Sequence, residues 1–290
     1  MYFKTIVIVL FVQVLSGSLF GQQAPKKEIS ANQVIEMIKG KVTCPWSANT
    51  VDTFKSGNPE DAVTGIVVCM FADMKALKQA VVDKCNLIIV HEPTFYSHTD
   101  ETKTLTDDPV YQDKLKFIND HHLIIWRFHD HIHRTNPDGI YVGVVEKLGW
   151  EKNKADNSLT RFKFEKVKLS DFILRLKAIF PGSSFRVIGN PEMMVTNVAL
   201  ALGAPGFSTH LKLLQEKNID VLVAGEAPEW ETYQYVYDAQ LQGKNKAVIF
   251  LGHTNSEEAG MEYCAKWLKG FIPAAIPIHY IKNGSSFNTF

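Results

Sequence analysis

Six side chains in this sequence have the types and spacing of a metal centre: His91, Glu92, His129, His133, His253 and Glu257. His91-Glu92 follows the apolar run 87–90, and His129 ends the run 123–128. His253 follows the run 247–251 with only Gly252 between. Imidazoles and carboxylates together form a mixed nitrogen–oxygen ligand set, which suits zinc, iron or manganese better than calcium or magnesium. One zinc ion takes four ligands, or three and a water. Six candidates therefore point to two divalent ions, a pair able to activate a bridging water and to stabilise a leaving oxygen.

The local spacing is informative. Of the ten histidines, seven lie from position 91 to position 133. In His129-Asp130-His131-Ile132-His133, an extended chain would set 129, 131 and 133 on one face. A helical turn would instead pair His129 with His133 at i and i+4. Both arrangements can clamp a metal, and the residues alone leave open whether Asp130 or His131 joins the ligands. His253 and Glu257 share the i, i+4 spacing at a helix start, where a glutamate is also expected from the helix dipole. Glu226 follows the run 221–224 after Gly225. Glu226 and Glu257 are the candidate catalytic carboxylates, Glu226 as an acid/base or an orienting group. His98 and His131 are candidate substrate contacts.

The elements that must position these residues alternate along the chain. Helices are expected over 30–41, 73–84, 113–121, 141–148, 170–179, 210–217, 231–240 and 257–268. Ser30 is placed to cap the first of these, and Gly149 to stop the fourth. Strands are expected over 64–71, 87–90, 123–128, 185–188, 195–202, 221–224, 247–251 and 275–278. Strand and helix in alternation imply an α/β fold with largely parallel sheets. Ligands in such folds gather at the carboxyl ends of strands, where three of these strands deliver potential metal ligands. The polar stretch 151–160 marks a boundary between a first α/β lobe, 29–150, and a second, 151–290. The part from about 246 to 290 brings His253 and Glu257 back to the ligands of the first lobe.

Composition narrows the partners. Lys plus Arg and Asp plus Glu each number 31, so the formal charge is zero. A nucleic-acid or anionic-membrane partner usually calls for a basic surplus, and a small-molecule substrate is expected instead. At the N-terminus, Lys4 precedes an apolar run over 5–15, small residues at Ser16, Gly17 and Ser18, and Gln22-Gln23. That is the pattern of a secretory signal peptide over 1–21, too short to span a bilayer comfortably, which takes about 20 apolar residues. The mature chain is expected to be exported to the periplasm, free of the membrane. Cys44, Cys69, Cys85 and Cys264 allow three disulfide pairings. None forms a CxxC pair, and Cys69 and Cys85 read as core residues.

The order of these motifs resembles the NIF-three-like dinuclear-metal family, whose members are often described as GTP cyclohydrolase type 2 homologues. The likeness runs from about Ser30 to Ile281. It rests on Leu87-Ile88-Ile89-Val90-His91-Glu92-Pro93, on His129 and His133 followed by Asp138-Gly139 and Leu148-Gly149, on Val221-Leu222-Val223-Ala224-Gly225-Glu226, and on Gly252-His253 with Glu257. Two positions depart from the family pattern: Glu92 stands where the family has a second histidine, and His133 where it has an aspartate, unless Asp130 has taken over that aspartate's role. One ligand changes from imidazole to carboxylate and the other changes back, which keeps four imidazoles and two carboxylates. Pro45-Trp46-Ser47 only echoes a family Trp-Asp-Asn segment, and Gly203-Ala204-Pro205-Gly206 replaces a Gly-rich turn.

The resemblance implies a two-lobed α/β subunit, two metals in the cleft between lobes, and a toroidal homohexamer. Three functions compete. The first is a metal-dependent hydrolase using metal-activated water on a phosphoester or a cyclic amide. GTP itself fits poorly with export to a compartment where it is scarce. The second is a metal-binding or metal-handling protein without turnover, and the third a scaffold whose ring shape is its function.

Overall fold

The computed structural model describes Tyr2 and residues 28–288. The signal-peptide expectation for 1–21 therefore lies, Tyr2 aside, outside the described residues. The first half of the chain contributes α1 (Ala31–Lys39), β1 (Phe54–Ser56), β2 (Ile66–Cys69), α2 (Met74–Val82), β3 (Leu87–Val90), α3 (Pro109–Asp120), β4 (Ile124–Arg127), α4 (Asp130–Arg134) and α5 (Gly139–Leu148). The second half contributes β5 (Arg161–Lys168), α6 (Leu169–Ile179), β6 (Arg186–Ile188), β7 (Met194–Ala201), α7 (Phe207–Gln215), β8 (Val221–Ala224), α8 (Gln234–Leu241), β9 (Ala247–Phe250), α9 (His253–Leu268) and β10 (Ile278–Ile281). The fold is α/β with two mixed sheets, in the orders β1-β4-β3-β2-β10 and β5-β7-β8-β9-β6. β4, β3, β2 and β10 run parallel, as do β7, β8 and β9. The antiparallel strands β1, β5 and β6 sit at sheet edges.

The short central strands are apolar throughout because both faces are covered. Side chains alternate between faces, and the core follows that alternation. Ile66, Val68, Leu87, Ile89, Ile124 and Trp126 of the first sheet share one cluster with Val198, Leu200, Val221, Val223 and Ile249 of the second. Helices α1, α5, α6 and α9 contribute to this cluster, which joins the two lobes. The opposite face of the first sheet packs against Ala76, Leu77 and Ala80 of α2 and Ile118 of α3. The opposite face of the second packs against Leu213 and Leu214 of α7 and Val236 of α8.

Several expected boundaries move. The strand expected at 275–278 forms at Ile278–Ile281 and pairs with β2, so the end of the chain completes the first sheet. β5 was not expected: its apolar residues are interleaved with Lys, Arg and Glu, as suits an edge strand with only Phe162 and Val167 buried. α3 starts at Pro109 rather than 113, because the Asp108 side chain caps it by accepting the Tyr111 N–H. All four cysteines are free thiols, with Cys69 and Cys85 in the core as expected. Among the described residues no helix is long and apolar enough to cross a membrane.

α5 and α9 lie against each other through glycine. A Cβ on Gly143 would fall on the Ala259 carbonyl, and one on Gly260 would lie 2.5 Å from the Ile140 Cα. These obstacles are backbone, so neither helix can yield by turning a side chain. Gly143→Ala should lower stability by about 2 kcal/mol: overpacking costs roughly 1–3 kcal/mol, less part of the roughly 1 kcal/mol that alanine gains over glycine in a free helix. Urea unfolding checks this, and an unchanged or raised midpoint would refute the close crossing.

Candidate metal centre

The strand ends of both sheets converge on the candidate ligands. From the first sheet, β3 delivers His91 and Glu92, and β4 leads through Phe128 to His129. From the second, β8 leads to Glu226 and β9 to Gly252 and His253. The segment 129–133 settles as a helical turn, α4, with His129 at its N-cap position. His129 and His133 thus share a face, with ring centroids 5.2 Å apart. α9 begins at His253, four residues before the expected start, which puts Glu257 one turn further along the same face.

Each of the four ligand imidazoles is held at Nδ1 by an acceptor. For His91 it is the Phe128 carbonyl at 3.1 Å, and for His129 the Asp130 carboxylate at 3.0 Å. For His133 it is Asp138 at 3.0 Å, and for His253 it is Glu226 at 3.0 Å. An acceptor at Nδ1 places a proton there and turns Nε2 into the cluster, the arrangement that outer-sphere partners of metal-bound histidines impose. His91 is fully buried, and its Nε2 has no hydrogen-bond partner. An orphaned buried acceptor is expensive, and a metal bond would satisfy this one.

Two carboxylates complete the cluster. Glu257 is 3 % exposed. Its Oε1 lies 3.7 Å from His133 Nε2, and its Oε2 lies 3.5 Å from His91 Nε2 and 3.0 Å from His253 Nε2. Glu92 Oε1 lies 3.0 Å from the same His253 nitrogen. Two sets follow, His91–His129–His133 and His91–Glu92–Glu257, each with donor atoms within 4.8 Å of one another. His253 adjoins the second set through both its carboxylates.

The electrostatics also suit a cation. Burial lowers the His253 pKa, but Glu226, Glu257 and Glu92 outweigh it and push it up to about 12. Without metal, His253 thus carries a proton in the place where a cation would neutralise the carboxylates. Burial would raise both glutamates. His253 and His91 nonetheless hold Glu92 at about 2 and keep Glu257 well below the usual carboxylate range. Burial, with the neighbouring His91, lowers His129 to about 4.

The structure separates two residues that the sequence left open. His131 is buried with both nitrogens committed, Nδ1–H to Asp52 at 2.7 Å and Nε2 accepting from the Ser47 N–H at 2.9 Å. It also stacks on Trp46, centroids 3.6 Å apart. His131 therefore holds the 46–52 loop and is neither a ligand nor, as it was expected it could be, a substrate contact. Asp130 orients His129 with one oxygen and takes Thr50 Oγ1 and the Val51 N–H with the other.

Three supporting residues were not anticipated. Asp52 accepts the N–H groups of His129, Asp130 and His131, tying down the first turn of α4. Arg127, fully buried, donates to the His91 carbonyl at 2.9 Å and approaches Glu92 Oε2 at 3.5 Å. Gly203 has φ +62°, and a Cβ there would overlap Glu257 Oε1. A lone aspartate in a polar loop gives no sequence signal. The arginine does give one, since a charge inside the run LIIWRF needs a buried partner.

Fold and cluster together define a two-lobed α/β protein with a potential metal site where the strand ends of the lobes meet. The chain belongs to the Duf34/NIF3 (NGG1p interacting factor 3) family, which it matches over residues 31–284. A GTP cyclohydrolase 1 type 2 homolog of Clostridium acetobutylicum is 24% identical over 227 residues, 74% of this chain and 80% of the relative. A protein of the same name from Chlamydia pneumoniae is 25% identical over 228 residues, 75% of this chain and 84% of the relative. A Staphylococcus aureus hypothetical protein has a similar fold, with TM-score 0.69 at 16% identity over 91% of this chain and 100% of its own. A Bacillus cereus protein related to NIF3 gives TM-score 0.69 at 14% identity, over 91% and 99%.

Proposed function

We propose that the chain binds two divalent metal ions, zinc, iron or manganese, at His91, Glu92, His129, His133, His253 and Glu257, and acts as a metal-dependent hydrolase on a small substrate, a phosphoester or a cyclic amide. The observation that supports this reading most is the common anchoring of four imidazoles at Nδ1, which brings the Nε2 atoms of His91, His133 and His253 within 3.7 Å of the buried Glu257 carboxylate and leaves that of His91 without a hydrogen-bond partner. A structural cluster would have its nitrogens satisfied within the protein, as His131 does. Paired ions in such a site supply water activated near neutral pH and stabilise a leaving oxygen.

The chain's own residues would do the rest. Asp130, Asp138 and Glu226 orient His129, His133 and His253. Glu257 spans the two ligand sets, and Gly203 gives it room. Glu226 keeps an exposed carboxylate beside His253, placed to take or return a proton. In this reading the mature chain works in the periplasm as a homo-oligomer, a hexameric ring by family likeness, without nucleic-acid or membrane partners. The apolar N-terminal run and the zero formal charge support those last points.

Elemental analysis of the purified mature chain tests the reading. Wild type should carry about two ions, and His253→Ala should lose at least one of them. A metal-loaded chain that cleaves phosphoesters or cyclic amides, and stops when stripped by a chelator, establishes the hydrolase. No stoichiometric metal after reconstitution would sink the dinuclear reading. Two ions without turnover across both substrate classes would leave metal handling as the function.

A further inference from the structure

The loop between β3 and α3 starts at the ligand pair His91-Glu92 and runs past His129. It is held more firmly than a surface loop requires. Its backbone is left-handed at two residues that are not glycine, Tyr96 at φ 65° and Asp100 at φ 57°. That conformation is unfavourable for a bulky side chain, and where it persists the surroundings enforce it. Three cations do so here. Lys114 Nζ donates to the Thr94 carbonyl at 2.6 Å, Lys55 pairs with Asp100 at 3.2 Å, and Arg127 donates to the His98 carbonyl. The same guanidinium holds the His91 carbonyl at 2.9 Å. One rigid, buried group therefore fixes His98 relative to a candidate metal ligand.

What this anchoring presents is the His98 imidazole. Its ring meets His129 edge to face, centroids 5.8 Å apart and planes at 82°. It is exposed, and neither ring nitrogen makes a hydrogen bond. His91, His129 and His133, the rings beside it, are all tied at Nδ1. Among the described histidines of this cluster, His98 is the one with an uncommitted N–H donor.

We propose that His98 is a substrate-positioning residue that donates its ring N–H to an oxyanion of the substrate, and that the substrate is therefore a phosphoester rather than a cyclic amide. The inference rests on the two-metal reading. The chemistry of the two substrate classes makes the choice. A phosphomonoester that gave two oxygens to a metal pair would still offer a third to a protein donor, whereas an amide carbonyl has a single oxygen to give. A donor held beside the centre, outside the ligand set, matches the first case. Precise placement matters because a hydrogen bond to a charged oxygen depends on distance and angle, and the Arg127 anchor supplies it.

The test uses the full mature chain loaded with manganese, with inorganic phosphate as probe and metal content measured on the same samples. Wild type, His98→Ala and His98→Asn are titrated calorimetrically. Wild type should bind phosphate saturably. His98→Ala should weaken binding by about tenfold or more, the usual worth of a charge-assisted hydrogen bond, with metal content unchanged. His98→Asn, which keeps an N–H donor, should recover most of the loss. Three outcomes overturn the proposal: metal-loaded wild type that ignores phosphate, a His98→Ala affinity equal to wild type, or metal loss in His98→Ala, which would make His98 a ligand. A wild type without metal fails the two-metal reading itself, and that is seen before any phosphate is added.

Discussion

Glu257→Ala should empty both halves of the centre, whereas His133→Ala and His253→Ala should each empty one. The reason is where the two carboxylate oxygens point. Oε1 lies 3.7 Å from His133, and Oε2 lies 3.5 Å from His91 and 3.0 Å from His253. His91 also lies near donors from both α4 and α9, but with Nδ1 tied to the Phe128 carbonyl it offers one ligand atom, whereas the Glu257 carboxylate offers two. Losing an outer-sphere partner of a metal ligand typically costs about 10–100-fold in affinity, so losing a shared ligand should cost more than about a hundredfold for each ion. Metal analysis after dialysis against a weak chelator reads this directly, with the count falling from about two to about zero. If Glu257→Ala retains a full ion, the carboxylate does not bridge, and the two ligand sets are independent sites. The variant should still fold, because the helix that carries the residue is fixed by its packing on α5 through Gly143 and Gly260.

Arg127→Met should be the most destabilising single change near the centre, by about 3–5 kcal/mol, the usual cost of breaking a buried ion pair by removing one partner. The guanidinium is fully buried. It serves the carbonyls of His91 and His98 and lies 3.5 Å from Glu92 and 3.8 Å from Asp100. Methionine fills much of the same volume, so the loss measures charge and hydrogen bonds rather than a cavity. Both proteins should be unfolded in urea with a chelator present, because bound metal would add its own linkage to the difference. A change under about 1 kcal/mol, the size of an exposed pair, would show that Lys55 and His253 satisfy Asp100 and Glu92 without the arginine. Metal affinity should fall in parallel, since His91 and Glu92 leave β3 through the backbone that Arg127 holds.

The alternation of apolar runs with helical segments was enough to define the α/β class, because buried parallel strands must be apolar on both faces. The candidate ligands were legible for a related reason. His91, Glu92, His129 and His253 stand where apolar strands end, and a histidine or glutamate at such a place has no part in the core. The pairs His129–His133 and His253–Glu257 could also be read, since helical spacing is local. Two edge strands, β1 and β5, were not legible. β5 buries only Phe162 and Val167, so its pattern is diluted by the charges that keep its outer side soluble.

What the tertiary structure decided was which of several adjacent polar groups face the centre and which hold it in place. The sequence could not separate His131 from His133, two residues apart. That distinction depends on Asp52, Ser47 and Trp46, which are brought to His131 from 79 to 85 positions away in the chain. The exchange of ligand types at Glu92 and His133 also becomes intelligible only in space. Glu92 lies between His253 and Arg127, two cationic neighbours for a carboxylate, while His133 finds Asp138 for its Nδ1–H. Sequence determines the local period, and with it the strands, the helices and the residues at their ends. Charges and donors far apart in the chain determine the protonation and orientation of those residues, because electrostatic and hydrogen-bond energies depend on distance in the folded chain.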